Sequence, residues 1–118
     1  MVRLRVLICG SRVEFEASKA YSLINRIIDD HPSAVFLHGG ATGVDELADN
    51  ILKTKGVAVE VYKSNYSRYG RKAPLVRDRE MVDRADIVYA LWNGRSRGTK
   101  YVIDYAKSTG KVVKVMEV

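Results

Sequence analysis

A chain of 118 residues with 47% hydrophobic and 29% charged side chains is long enough to bury a core and ordinary for a globular domain. No apolar run approaches the roughly 18 residues that span a bilayer, and a single cysteine, Cys9, excludes an internal disulfide. The net charge of +6 is unevenly spread: residues 13–62 carry four positive and eight negative side chains, residues 63–101 ten positive and four negative. A basic patch of this kind favours phosphate-bearing partners. No Cys/His cluster offers a metal site, and the absence of a disulfide framework agrees with a cytoplasmic protein. The length predicts one domain covering residues 1–118.

The first segment, Met1 to Cys9, has two arginines within its apolar stretch and no small-residue cleavage pattern, so it reads as a strand over residues 3–9 and not as a signal peptide. Gly10-Ser11-Arg12 follows at once and sets a glycine, a hydroxyl and a guanidinium at the strand's carboxyl end, a first candidate anion site. Ala20, Leu23, Ile24, Ile27 and Ile28 have helical spacing, and His31-Pro32 ends that helix. Ala34 to Leu37 is a short buried strand. It runs into His38-Gly39-Gly40-Ala41-Thr42-Gly43-Val44-Asp45, which opens a helix carrying Val44, Leu47, Ala48, Ile51 and Leu52 on one face.

This central join is where function concentrates. Glycine tolerates positive φ and has no Cβ, so Gly39, Gly40, Ala41, Thr42 and Gly43 can wrap backbone N–H groups around a phosphate at the positive end of a helix dipole. Thr42 with Asp45 three residues on fits a capping box, which predicts that further amides stay free for an anion. A tight strand-to-helix turn without any ligand explains the same glycines equally well.

Gly56 stops the second helix after Lys55, and Val57 to Tyr62 is a third strand. Residues 63–74 have neither period and mix basic with aromatic side chains, which predicts a long loop over the sheet's edge. Pro74 suits the start of a third helix, with Arg77, Met81 and Arg84 on adjoining turns. Asp86 to Trp92 is a fourth, clearly apolar strand. It ends in a third glycine and hydroxyl loop, Asn93-Gly94-Arg95-Ser96-Arg97-Gly98-Thr99, which opens a helix with Val102, Ile103 and Ala106 inward. Gly110 stops it, and Lys111 to Val118 is a fifth strand.

Strands alternating with helices predict an α/β fold: a doubly wound, Rossmann-like parallel sheet of about five strands with helices on both faces and the order 3-2-1-4-5. Parallel topology brings all three glycine loops to one sheet edge, where the winding reverses and ligands bind. The Gly-x-Gly-x-x-Gly dinucleotide fingerprint is absent after the first strand.

Gly39-Gly40-Ala41-x-Gly43-x-Asp45, Tyr69-Gly70, Pro74-x-x-Arg77 and Gly94-x-Ser96-x-Gly98-Thr99 together resemble the SLOG superfamily, the Rossmann-like group that joins the DNA-processing protein DprA/Smf with the LOG cytokinin-activating phosphoribohydrolases. Within it the chain is most similar to the small stand-alone YspA/YpsA-like branch. The resemblance covers nearly the whole chain and implies a nucleotide-binding fold. It also implies departures. LOG enzymes carry a Gly-Thr-x-x-Glu whose carboxylate assists glycosidic cleavage, and Val102 stands at that Glu position; Asp78 follows Arg77 where the nearest relatives tend to have Asn. The length leads to the expectation of a chain without the additional DNA-binding domain of DprA.

The candidate ligand-binding residues are therefore Gly10, Ser11, Arg12, Gly39, Gly40, Ala41, Thr42, Gly43, Asp45, Arg77, Trp92, Gly94, Ser96, Gly98 and Thr99. Arg12 and Arg77 can clamp a phosphate with two parallel N–H groups, or form surface ion pairs. Asp45 can receive a ribose hydroxyl, although a helix cap explains it without one. Trp92, Tyr66 and Tyr69 can stack on a base. Cys9 reads as an inert small hydrophobe and His38 as a loop cap. Arg77 and Asp45 are the catalytic candidates if there is turnover, with Glu46 or Asp104 as other carboxylates. The expected ligand is a nucleotide or phosphorylated ribosyl derivative, sensed or carried by a homo-oligomer, with no further cofactor. Phosphoribohydrolase activity and single-stranded nucleic-acid binding through Lys63, Arg68, Arg71 and Lys72 are the alternatives.

Overall fold

The computed structural model describes residues 3–118. Met1 and Val2, which begin the segment read as a strand and not a leader, lie outside the described residues. Five parallel strands, β1 (Arg5–Gly10), β2 (Val35–His38), β3 (Val59–Val61), β4 (Ile87–Trp92) and β5 (Val112–Glu117), form one sheet in the order β3-β2-β1-β4-β5. The expected α/β, doubly wound topology is the one observed.

The strand sequences explain their places. β1 from Val6 onward and β4 throughout are nearly continuous apolar runs because both of their faces are covered, as parallel inner strands require. β5, at one edge, mixes Val and Met with Lys114 and Glu117 and leaves Val112 and Val115 exposed. One face of the sheet is covered by α1 (Ala17–Asp30) and α2 (Val44–Lys55), around Val6, Ile8, Ile24, Phe36 and Leu52. The other is covered by α4 (Ala73–Arg84) and α5 (Arg97–Ser108), around Leu7, Leu37, Met81, Val88 and Ile103. Each such side chain, withdrawn fully from water, contributes about 1.5–3 kcal/mol. Gly56 closes α2 in the left-handed conformation at φ 68°, as its position after Lys55 predicts.

Two local expectations are corrected. Residues 63–74 are not a long loop: α3 (Tyr66–Tyr69) makes one turn, Gly70–Lys72 make a 3-10 turn, and these lead directly into α4. Asn65 nucleates the turn, its side chain accepting from the Arg68 amide at 3.2 Å. A single helical turn is too short to show a 3.6-residue period, so the segment looks aperiodic. The capping box is also absent. Gly43, not Thr42, is the N-cap of α2, and Thr42 is exposed and caps nothing.

Candidate functional site

Because every strand runs the same way, the β1–α1, β2–α2 and β4–α5 joins all emerge at the carboxyl edge of the sheet. β1 and β4 are neighbours, with Gly10 in register with Leu91, and the chain winds outward in opposite directions from them. Between these strand ends and the helices lies a cleft of about 60 Å³ with Cys9, Asp45, Asp78 and Met81 at its base and Arg12, Ser96 and Gly98 among its walls. It shares Arg12, Ala41 and Arg77 with a groove of about 370 Å³ bordered by Lys63, Ser64 and Tyr66, and Arg12, Ser96 and Gly98 with one of about 460 Å³ bordered by Val13, Glu14 and Asn93. Arg12 lines all three.

The first loop is held by its neighbours. Ser11 donates its amide to Leu91 O, accepts the Val44 amide on its carbonyl, and accepts the Asn93 amide on its hydroxyl at 3.0 Å. Ser11 is thus fully buried and joins the three loops to one another, which replaces the anion-binding role expected of it. Gly10 is required by close packing: a Cβ there would stand 2.5 Å from Leu91 O and 2.7 Å from the Val44 side chain. Arg12 is different. Its side chain is exposed and has no hydrogen bond or ion pair among the described residues.

In the central loop, three of the five amides expected to cradle a phosphate are turned to side chains of the protein. The N–H groups of Gly39 and Ala41 both donate to Asp45 Oδ2, at 3.1 and 3.2 Å, and the Gly40 N–H donates to His38 Nδ1 at 3.0 Å. Those donors are occupied by the protein itself. Gly43, at φ 80°, lies against the first loop, where a Cβ would be 2.5 Å from both Ser11 O and Arg12 O. The space at Gly43 is therefore filled by backbone and not kept for a ligand. His38 is buried as the expected loop cap, and its accepting Nδ1 leaves Nε2–H to donate to Asp49 Oδ1 at 2.8 Å.

Arg77, the other expected phosphate clamp, is largely committed to structure. Its Nη1 donates to Gly39 O at 2.6 Å and Tyr62 O at 3.3 Å, and its Nε to Asp78 Oδ1 at 2.8 Å. Nη2 has no acceptor among the described residues, and the residue does line the cleft.

Of the third loop, Ser96, Gly98 and Thr99 reach the cleft, whereas Trp92 and Gly94 line neither it nor its grooves. Trp92 is pinned by its indole N–H to Ser96 O at 2.9 Å and packs on the α4 and α5 side of the core, so it is not placed as a stacking platform. Ser96 caps α5, its Oγ lying 3.2 Å from Thr99 Oγ1. Gly98, in the first turn of α5, is the informative glycine: a Cβ there would meet nothing within 4 Å, so the protein's own packing gives no reason for its bareness.

Two carboxylates share the cleft. Burial raises Asp45 above the ordinary carboxylate value, opposed by the Ala41 amide, the His38 ring, the Gly39 amide and Arg77. Burial likewise raises Asp78, opposed by the charge and hydrogen bond of Arg77 and by the nearby charge of Arg12. Burial, with Asp45 and Asp78 adding, pushes the Cys9 thiol far up, so it stays protonated and donates to Tyr89 O. Asp78 is the residue whose place sequence reasoning underrated. It sits with Met81 and Val82 on the inward face of α4, and an acidic side chain at an inward helical position is the signal for it. The other proposed carboxylates are elsewhere: Glu46 borders a separate groove with Asp49 and Lys53, and Asp104 pairs with Lys100 on exposed α5 surface. Val102 lines the cleft as an apolar side chain.

A doubly wound parallel sheet whose three helix-opening loops meet at the reversal point defines a Rossmann-like protein with its cleft at the carboxyl edge. The chain belongs to the YspA, cpYpsA-related SLOG family, whose model matches residues 4–69. It is 34% identical over 113 residues to the Gene 61 protein of Mycobacterium phage D29, a match covering 90% of each chain. Among solved structures it is similar to DNA processing protein A (DprA) from Streptococcus pneumoniae, with a TM-score of 0.78 at 16% identity over 96% of this chain. It is also similar to DNA processing protein A from Helicobacter pylori, described for its single-stranded DNA binding mode, with a TM-score of 0.71 at 19% identity over 95% of this chain. The chain spans 50% of the first of these proteins and 64% of the second, and the likeness is one of fold.

Proposed function

We propose that the chain binds a phosphorylated nucleotide or ribosyl nucleotide derivative in the carboxyl-edge cleft, as a sensor or carrier. The observation that carries this reading is Arg12. An exposed guanidinium with no partner among the described residues lines the same cleft as Gly98, in the open first turn of α5. A phosphate placed there gains a two-pronged charge-assisted contact and the positive end of a 12-residue helix. The test is calorimetric titration of AMP and ATP into the parent protein and Arg12→Ala, with circular dichroism to monitor folding. The variant should lose about 1–3 kcal/mol of binding free energy. Equal affinity in both proteins, each folded, would sink the proposal.

A second reading is single-stranded nucleic-acid binding. It draws on the Helicobacter pylori neighbour and on the exposed run Lys63, Arg68, Arg71 and Lys72, in which the Arg68 guanidinium lies 5.3 Å from the Tyr69 ring centroid. Basic side chains interleaved with exposed rings suit a backbone and its bases. The expected binding is weak and non-specific. Submicromolar affinity in a gel-shift titration, falling steeply with salt, would place this reading first.

A further inference from the structure

The cleft offers acceptors as well as a cation, and a fully ionised phosphate has no hydrogen to give to an ionised carboxylate. Asp78 Oδ1 receives Arg77 Nε at 2.8 Å, and Oδ2 receives no donor among the described residues. Asp45 shows the same asymmetry, with both loop amides on Oδ2 and none on Oδ1. No fully buried side-chain oxygen among the described residues lacks a partner, so these two free oxygens keep contact with solvent. The cleft is the opening that both residues line. An ionised carboxylate only accepts. Two unfilled acceptors beside one unfilled guanidinium therefore call for a ligand that is anionic at one end and carries hydroxyl donors at the other.

We propose that Asp78 is the specificity-determining residue of this cleft, its free oxygen accepting a hydrogen bond from a sugar hydroxyl so that ribose phosphates are taken in preference to phosphates whose sugar lacks vicinal hydroxyls. The inference rests on the nucleotide reading above and adds the part of the ligand that reading leaves open. Arg12 and the first turn of α5 hold the phosphate, because the negative charge of Asp78 and Asp45 repels it from the base of the cleft. A vicinal diol offers two donors to those two acceptors. Asp78 is the better one to alter, because Asp45 also holds the central loop through the Gly39 and Ala41 amides. In Asp78→Asn the amide oxygen still accepts Arg77 Nε–H, which turns the NH2 group to the free side and replaces an acceptor with a donor.

The experiment titrates AMP, 2′,3′-dideoxy-AMP and inorganic phosphate into the parent protein and Asp78→Asn by calorimetry. The parent should prefer AMP over the dideoxy compound by roughly tenfold or more, as suits a hydrogen bond to a charged group. In Asp78→Asn the ratio should fall to within about threefold, while phosphate binds as well or better because a negative charge has left the cleft. A parent that binds both nucleotides equally would overturn the assignment and leave the nucleotide reading standing. So would a variant that keeps the full preference. A parent that binds none of the three compounds overturns both. The parent ratio is read whether or not the variant folds.

Discussion

Arg77 Nη1 lies 2.6 Å from the carbonyl oxygen of Gly39, in the volume that a side chain at position 39 would need: a Cβ there would be 2.5 Å from the same nitrogen. The glycine and the arginine are one structural unit. Together with the bond to Tyr62 O, the guanidinium ties the ends of β2 and β3 to α4 and neutralises Asp78.

Truncating that arginine should therefore cost stability before it costs binding. Arg77→Ala leaves Asp78 without its cation and the Gly39 carbonyl without its donor, and the expected loss is about 2–4 kcal/mol. Arg77→Lys should lose less, because a cation stays beside Asp78, but one ammonium cannot reach all three acceptors at once and some loss remains. Urea unfolding measures this through the transition midpoint at constant slope. An unchanged midpoint with abolished nucleotide binding would return Arg77 to the role of a ligand clamp.

Two glycines that look alike in the sequence should part company when changed to alanine. Gly43 combines φ 80° with backbone oxygens 2.5 Å from where its Cβ would go, so Gly43→Ala should destabilise strongly, by about 2 kcal/mol or more. Gly98 sits in a helix beside open space, so Gly98→Ala should leave stability equal or raise it by about 0.5–1 kcal/mol. Its methyl group would enter the cleft, however, and nucleotide affinity should fall. Thermal unfolding paired with calorimetry checks both halves, and a Gly98→Ala protein that binds normally would remove Gly98 from the site.

How much of this was legible beforehand follows from what periodicity can carry. The order 3-2-1-4-5 and the shared edge are readable because each strand and long helix shows its period and parallel connections obey one hand. The role of each loop glycine is not readable, because Gly43 meets Ser11 and Arg12 from a segment about thirty residues away, and spacing within one loop says nothing of that contact. Arg12 and Arg77 look equivalent as cations after a strand or in a helix. Only the fold shows that one gives its Nε and Nη1 to two carbonyls and a carboxylate while the other has no hydrogen bond or ion pair among the described residues.

The pH dependence of stability should carry the signature of the cleft carboxylates. Asp45 and Asp78 both have folded-state values raised by burial, so the native state binds more protons than the unfolded chain between the ordinary value of 3.8 and the raised one. Their contribution to stability is fully present below 3.8 and is lost as pH rises through the folded values. Asp49 acts oppositely: the Lys53 hydrogen bond lowers it, and its contribution is lost as pH falls. Asp78→Asn removes one of the raised groups, so the variant should gain stability relative to the parent as pH rises from 4 to 7. Urea midpoints at the two pH values give the difference, and a relative loss toward pH 7 would show that the Arg77 pair outweighs burial.

Base release from nucleoside monophosphates should be slow or absent. Cleavage of an N-glycosidic bond passes through a state with positive charge on the sugar, and proton transfer by a placed side chain contributes about 10²–10⁴-fold. At the position where LOG enzymes carry their glutamate, Val102 presents only methyl groups to the cleft. Asp104 is turned to the surface with Lys100, and Glu46 borders a different groove. The carboxylates that remain are Asp45, held on one oxygen by two amides, and Asp78, held on one oxygen by Arg77. Binding without turnover is the expected result in a chromatographic assay of free base over hours at saturating nucleotide. Val102→Glu offers the converse: if the cleft already positions a ribose, restoring a carboxylate there should raise the release rate above the parent's. Rapid release by the parent that disappears in Asp45→Asn or Asp78→Asn would show that the carboxylate has moved to the base of the cleft, and the protein would then be an enzyme.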